Sequence, residues 1–361
     1  IRDSVHAGQK CVTTRVQLPF RARQTVRRRA HSSSETGLSL SSAVLNVPEV
    51  SPAVWRRSGW VLRWLVATRA SVLPLTLFAC LFAGLLALPW SVGEATRLAL
   101  VTLALLLAHA TNTLLNDHVD YRTGLDRDNY FRALYGTHPL TRGLMSLAAH
   151  RLMILVTGVL ALLLCLYLVR MLGTTALWLA VAGAFFLLFY TYPLKRWAVG
   201  ELAVFLVWGP LMVGGVYWAV SDDWGAEIML LSVIYGLGPT VVIFAKHADK
   251  RTDDARRGVR TLPVVLGARW SAVVIALLAL LQVGLVIGWA LAEQTWPYLV
   301  ILGALPALAA CVYRATRPRP RSRPRDYPQN LWPLWYTVPA FQFARASGGL
   351  LVLGALVNGL L

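Results

Sequence analysis

Two stretches of the chain concentrate oxygen ligands where apolar runs end. The first is Asn116-Asp117-His118-Val119-Asp120, continuing through Gly124 to Asp126; the second is Asp249-Lys250-Arg251-Thr252-Asp253. Asn116 and Asp120 are four residues apart, Asp117 and Asp120 three, and Asp249 and Asp253 four, so on helical backbone each group shares a face. Carboxylates crowded on one face repel each other unless a cation intervenes. Magnesium suits such a set, because it prefers oxygen ligands, keeps part of its water, and bridges protein carboxylates to substrate phosphates. One such cluster alone reads equally well as a solvated helix end. Two at the same end of separate apolar helices, both interleaved with bases, point to phosphate capture through metal.

The elements that must position these clusters are long and apolar. Hydrophobic residues make up 57% of the 361 positions and charged residues only 14%, more apolar surface than a soluble domain of this length needs. Nine apolar spans follow Trp60, at about 67–90, 96–117, 147–170, 174–191, 199–220, 226–246, 271–292, 296–315 and 336–361. Each is near the ~20 residues that cross a bilayer as a helix. Backbone groups in hydrocarbon must be satisfied internally, which predicts an all-α fold. The expected architecture is a polytopic membrane bundle of nine transmembrane helices around a central cavity, spanning residues 59–361.

Charge orients this bundle. The connections after spans two, four, six and eight carry Arg122, Arg127, Arg132 and Arg142; Lys195 and Arg196; Lys250, Arg251, Arg256, Arg257 and Arg260; and Arg317, Arg319, Arg321, Arg323 and Arg325. The intervening connections are poor in base, so the basic loops face the cytoplasm or its equivalent. Both acidic clusters then open on that side. They lie four spans apart, an arrangement compatible with two related halves feeding one site.

The net charge of +18 rests on arginine, since lysine occurs only at Lys10, Lys195, Lys246 and Lys250. These bases fall between apolar spans and not on one soluble face, so a nucleic-acid partner is excluded. Residues 1–58 form a separate basic segment expected to be disordered, with Arg2, Arg15, Arg21, Arg23 and Arg27 to Arg29 ahead of Ser32 to Ser34. Its composition fits an organellar transit peptide, a basic tail or sequence upstream of the true start. An arginine-heavy, lysine-poor chain favours a bacterial inner membrane over an organelle. Cys11, Cys80, Cys165 and Cys311 show neither pairing nor metal spacing.

At the two acidic stretches a family resemblance becomes specific. Asn116 to Asp126 resembles the first aspartate-rich motif of the UbiA superfamily of intramembrane aromatic prenyltransferases, and Asp249 to Asp253 resembles the second. The interval from Asp120 to Asp126 is similar to the 1,4-dihydroxy-2-naphthoate polyprenyltransferase branch. So are Tyr192-Pro193-Leu194-Lys195-Arg196 with Gly200-Glu201, and Gly258 to Pro263 leading to Gly267. The resemblance covers about residues 60–361 and carries the expectation of nine helices.

It implies a site residue by residue. Asn116, Asp117, Asp120, Asp126, Asp249 and Asp253 would bind Mg2+; Arg69, Arg122, Tyr192, Lys195, Arg196 and Lys250 would hold the diphosphate. Arg196 stands where the family has a lysine four residues after the tyrosine, and Lys246-His247 and the segment Tyr130 to Gly136 also depart from the branch pattern. The implied partners are a prenyl diphosphate, an aromatic acceptor and the lipid bilayer. The implied reaction, with Asp117, Asp120, Asp249 and Asp253 as its catalytic acids, transfers a polyprenyl group to a ring carbon and releases diphosphate. Tyr190, Tyr192, Trp208, Tyr217 and Trp218 are candidates to line the path of the electron-poor prenyl group, although aromatics in a bundle more often pack or anchor. The competing class is an ion-coupled transporter using the acids as cation sites, which would place carboxylates near the bilayer midplane rather than at one boundary.

Overall fold

A computed structural model of the chain describes residues 50–124, 137–328 and 331–361. The described chain is helical, and its one β-type pairing is a bridge between Trp197 and Arg260. Two short helices, α1 (Pro52–Arg57) and α2 (Trp60–Ala67), lead into α3 (Leu73–Leu86). Next come α4 (Val92–Arg122), α5 (Leu147–Leu172) and α6 (Thr174–Phe189). Helix α7 (Gly200–Leu206) runs through a π-helical stretch, Val207–Gly214, into α8 (Gly215–Ser221). Helices α9 (Ala226–Arg256) and α10 (Leu262–Ala292) follow. A 3-10 segment, Trp296–Ala304, then enters α11 (Leu305–Ala315), and α12 (Thr337–Leu360) ends the fold.

Among the described residues, seven of these elements are apolar and at least 18 residues long; α2 and α3 make an eighth span if their 63° bend is counted within one crossing. The remaining expected span, the fourth, is α6, which has 16 residues, about 24 Å of helix against a hydrocarbon core of about 30 Å. Nine apolar elements are therefore present where the sequence places them, while the number that cross is seven or eight by length and composition. The chain is an integral membrane protein.

Local signals fix the element ends. Ser91 and Glu94 close a reciprocal capping box at the start of α4: the Ser91 N–H donates to Glu94 Oε2 at 2.6 Å, and the Glu94 N–H to Ser91 Oγ at 3.3 Å. Ser146 caps α5 by accepting from the Ala149 N–H at 3.1 Å. Helix α5 then turns leucines at 152, 155, 160, 162, 163 and 166 outward, as a lipid-facing helix must.

The packed centre is α9, which lies against α10, α12 and the α7–π segment. Its Tyr235 stacks on Phe82 of α3 and donates from its hydroxyl to the Leu75 carbonyl at 2.9 Å. Gln282 of α10 donates to the Ile234 carbonyl at 3.1 Å and accepts from Ser347 of α12 at 3.2 Å, tying three helices together. Such bonds across helices replace the hydrophobic drive that lipid does not supply.

Gly209 and Gly236 mark the closest approach of two backbones. A Cβ on Gly209 would sit 2.7 Å from the Ser232 carbonyl oxygen, and one on Gly236 would sit 3.0 Å from the Gly209 Cα. Gly209→Leu is expected to wedge α9 from the π segment and lower the thermal midpoint of the detergent-solubilised protein, a loss of at least 1–3 kcal/mol. A midpoint unchanged from wild type would show that this contact is slack.

Candidate functional site

The connections rich in base converge at one end of the bundle. The parallel bridge between Trp197 and Arg260 joins the α6–α7 turn to the α9–α10 turn, and side-chain contacts bring in the start of α3, the end of α4 and the start of α12. Below this end opens a cavity of about 1390 Å³, walled by α4, α5, α6, the α7–π–α8 span, α9 and α12. Its walls are mostly aliphatic, with Arg69, Asn112, Asn116, Lys195 and Lys246 among its polar lining. The volume exceeds the ~300–1,000 Å³ of ordinary small-molecule sites.

The first acidic cluster is where the sequence places it. Asp117 is fully buried and accepts from the Arg69 guanidinium at 2.8 Å. Arg69 sits at the α2–α3 bend with φ +54°, in the left-handed region that a non-glycine residue adopts at a cost of about 1–2 kcal/mol. Such an outlier persists where the surroundings over-determine it, and here the bend carries Arg69 onto Asp117. Asp120, also buried, lies 3.5 Å from Lys195 Nζ, while its Oδ1 has no hydrogen-bond partner among the described residues. Asn116 donates to Thr191 Oγ1 at 3.2 Å. Arg122 is exposed on the last turn of α4, and Asp126 lies outside the described residues.

The tyrosine–basic pair sits on a tight turn. Residues 194–196 form a 3-10 turn, and the Lys195 N–H donates to the Tyr190 carbonyl at 2.9 Å. Tyr192 is therefore turned outward, 60% exposed, with Arg196 over its ring at 5.3 Å. The inward residues are Tyr190 and Lys195, which both line the cavity. Gly200 makes this turn possible, because a Cβ there would approach the Lys195 Cα to 3.1 Å.

The second cluster also needs correcting. Asp249 is buried, but its carboxylate accepts from the N–H groups of Trp335, Tyr336 and Thr337 at 2.9–3.1 Å and from Thr337 Oγ1 at 2.7 Å. Arg319 Nε stands 3.6 Å away. Asp249 thus caps the first turn of α12 from another helix, where the dipole favours negative charge. Asp253 is 41% exposed in its side chain and pairs with Arg256 at 3.8 Å.

The residues on α9 that extend its cavity-lining stripe are Lys246, Lys250 and Asp254, each four after the last. Lys250 and Asp254 approach to 3.7 Å, and Asp254 is buried with Oδ2 lacking a hydrogen-bond partner among the described residues. Lys246 and Tyr190 both line the cavity. Asp254 and Lys246 stand outside the set that the sequence singled out for metal or diphosphate; the i, i+4 rhythm running on from Lys246 is the signal available for them.

The segment between α11 and α12 folds back onto this end as a strap of arginine and aromatic residues. Arg314 lies over Trp335 at 4.1 Å and Tyr327 at 5.0 Å, and Arg319 over Trp332 at 5.4 Å. Burial pushes the Tyr327 phenol up to about 12, and burial together with the Asp249 charge raises that of Tyr336. Both stay neutral donors at physiological pH, Tyr327 to the Leu334 carbonyl at 2.6 Å. Leu331 and Leu334 of the strap line the cavity.

A divalent cation fits part of this arrangement. Asp120 and Asp254 each keep a buried carboxylate oxygen without a hydrogen-bond partner among the described residues, a disposition that a hard cation satisfies. Asp249 does not fit, since its oxygens are occupied by the start of α12. No three histidine, cysteine or acidic side chains form a ready metal shell among the described residues. The chain thus offers part of a coordination sphere beside several fixed cations.

A family model described as the UbiA prenyltransferase family matches residues 72–334. A 2-carboxy-1,4-naphthoquinone phytyltransferase from Synechocystis sp. is 27% identical over 134 residues, 36% of this chain and 44% of that protein. The chain therefore matches less than half the length of this curated relative.

Proposed function

The chain belongs to the UbiA prenyltransferase family, and on that premise we propose that it is an intramembrane prenyltransferase. It moves a polyprenyl group from a prenyl diphosphate to a ring carbon of an aromatic acceptor. The allylic carbon–oxygen bond breaks, a carbon–carbon bond forms, the ring loses a proton and diphosphate leaves. The observation that carries this reading is the set of largely buried basic side chains Arg69, Lys195 and Lys250, paired with Asp117, Asp120 and Asp254 at one end of an apolar cavity. Fixed cations in a low-dielectric site stabilise the charge that develops on a leaving diphosphate, and aliphatic walls suit an isoprenoid.

Mg2+ is the proposed cofactor, held through Asn116, Asp117, Asp120 and Asp254, with Asp126 a further proposed ligand. When bound it would neutralise diphosphate oxygens and make the group a better leaving group. Lys195, anchored by its backbone to Tyr190, places its ammonium against Asp120 and the cavity mouth. Arg69 orients Asp117. Asp249 serves in this reading as the tie that holds α12 and the strap in place, and Tyr192 and Arg196 form the outer face of the turn. The Synechocystis relative, whose name specifies a carboxylated naphthoquinone and a phytyl group, supports a naphthalenoid acceptor, and 1,4-dihydroxy-2-naphthoate is the one we propose. The basic loops support a mouth on the cytoplasmic side, and the arginine-heavy, lysine-poor composition supports a bacterial inner membrane.

The purified full chain, given a prenyl diphosphate, 1,4-dihydroxy-2-naphthoate and Mg2+, is expected to form a C-prenylated product detectable by mass spectrometry. Chelation with EDTA should reduce the rate at least 100-fold, and added Mg2+ should restore it. A product rate indifferent to chelation would remove the metal from the account.

A further inference from the structure

The proposed reaction uses the cations at the mouth of the cavity and leaves one deeper cation unexplained. Arg345 lies on α12 and lines the cavity with Val338, Phe341 and Gln342 of the same helix. Its guanidinium rests over the Phe341 ring at 5.8 Å, and it makes no hydrogen bond or ion pair with the described residues. It sits eight residues beyond Thr337, where Asp249 marks the level of the mouth. At 1.5 Å per residue that is about 12 Å of helix below the mouth. An arginine inside a spanning helix is costly and, by its position, a functional residue before it is anything else.

On the facing helix a second polar group stands at a similar depth. His109 of α4 lies eight residues, about 12 Å of helix, below Asp117. Its Nδ1 is bonded to Thr76 Oγ1 at 2.7 Å and its ring packs edge-on against Trp208, so the imidazole is held in one orientation with Nε2 as its remaining polar edge. Asn112, also lining the cavity, completes a polar track from the acidic cluster downward. A prenyl tail carries no group that would use a guanidinium or an imidazole at this depth. The diphosphate is served by its own cations about two helical turns away.

We propose that Arg345 is the specificity-determining residue for the acceptor, binding a carboxylate on its aromatic ring, with His109 positioning a ring oxygen. The planar fork of arginine matches a carboxylate through two parallel hydrogen bonds, and in a water-poor cavity such a pair discriminates strongly. An acceptor without the carboxylate would leave the guanidinium uncompensated, which is the larger part of the selectivity. This inference rests on the prenyltransferase reading of the same cavity and adds to it which residue selects the acceptor.

The test compares 1,4-dihydroxy-2-naphthoate with 1,4-dihydroxynaphthalene, which lacks the acid group, using the detergent-purified full chain. Wild type should prefer the carboxylated ring by about 100-fold or more in kcat/KM. Arg345→Gln should erase that preference, raising KM for the carboxylated ring and lowering it for the uncarboxylated ring, while the KM for prenyl diphosphate stays within about twofold. Arg345→Lys should recover part of the preference. Equal losses on both rings, or a raised KM for prenyl diphosphate, would overturn the assignment. Thermal stabilisation by each ring alone gives a second readout that needs no turnover. If 1,4-dihydroxy-2-naphthoate stabilises wild type but not Arg345→Gln, the carboxylate site stands even where the transferase reading fails. If it stabilises both equally, the site falls and the transferase reading is untouched.

Discussion

Asp120→Asn is expected to lower turnover by about 100- to 1,000-fold while the purified protein keeps its cooperative melt. The substitution preserves shape and an oxygen facing Lys195, which stands 3.5 Å away. It removes the charge from a carboxylate whose Oδ1 is buried without a hydrogen-bond partner among the described residues. Losing one preorganised electrostatic group in a water-poor site typically costs two to three orders of magnitude in rate. Asp253→Asn, on an exposed side chain paired with Arg256, should change the rate by no more than a few-fold. Steady-state rates with thermal melts of both variants check the pair. Equal rate losses in the two, or a collapse of the Asp120→Asn melt, would mean that the structure misplaces the working acid.

Asp249→Ala is expected to act through the fold. Its carboxylate receives three backbone N–H groups and a hydroxyl at the start of α12, with Arg319 beside it. Truncation leaves these donors buried and the guanidinium without its counter-charge, a loss of about 3–5 kcal/mol. The variant should melt earlier and expose the strap between α11 and α12 to limited proteolysis. Asp249→Asn, which can still accept, should lie between alanine and wild type. An alanine variant that melts like wild type yet requires more Mg2+ would return Asp249 to the metal.

The contrast between these two aspartates shows what the sequence could specify. Apolar run lengths placed the long helices, because hydrocarbon leaves the backbone few alternatives, but they did not reveal α1 or the bent entry through α2. Whether a run crosses was harder, since α6 is short and the α2–α3 unit bends at Arg69. Asp117 and Asp120 were legible because α4 is regular helix through both residues. Four-residue spacing on α9 identified a stripe without saying which neighbour it meets: Asp249 meets α12, whereas Lys246 lines the cavity and Lys250 pairs with Asp254 beyond it. The turn at residues 194–196 is a 3-10 element that spacing alone does not reveal, and it leaves Tyr192 exposed with Lys195 lining the cavity. Arg345 passed unremarked inside the last apolar span, although a lone arginine there was signal enough.

The account stands on a diphosphate gripped beside Asp117, Asp120 and Lys195 and released when the prenyl group moves to a ring carbon. The most direct measurement is diphosphate release by the purified full chain from a prenyl diphosphate, followed together with the prenylated ring by mass spectrometry. The predicted result is equal amounts of both products, formed only with acceptor and Mg2+ and lost in Asp120→Asn. Cation-coupled uptake into liposomes without either product would contradict it and favour a transporter.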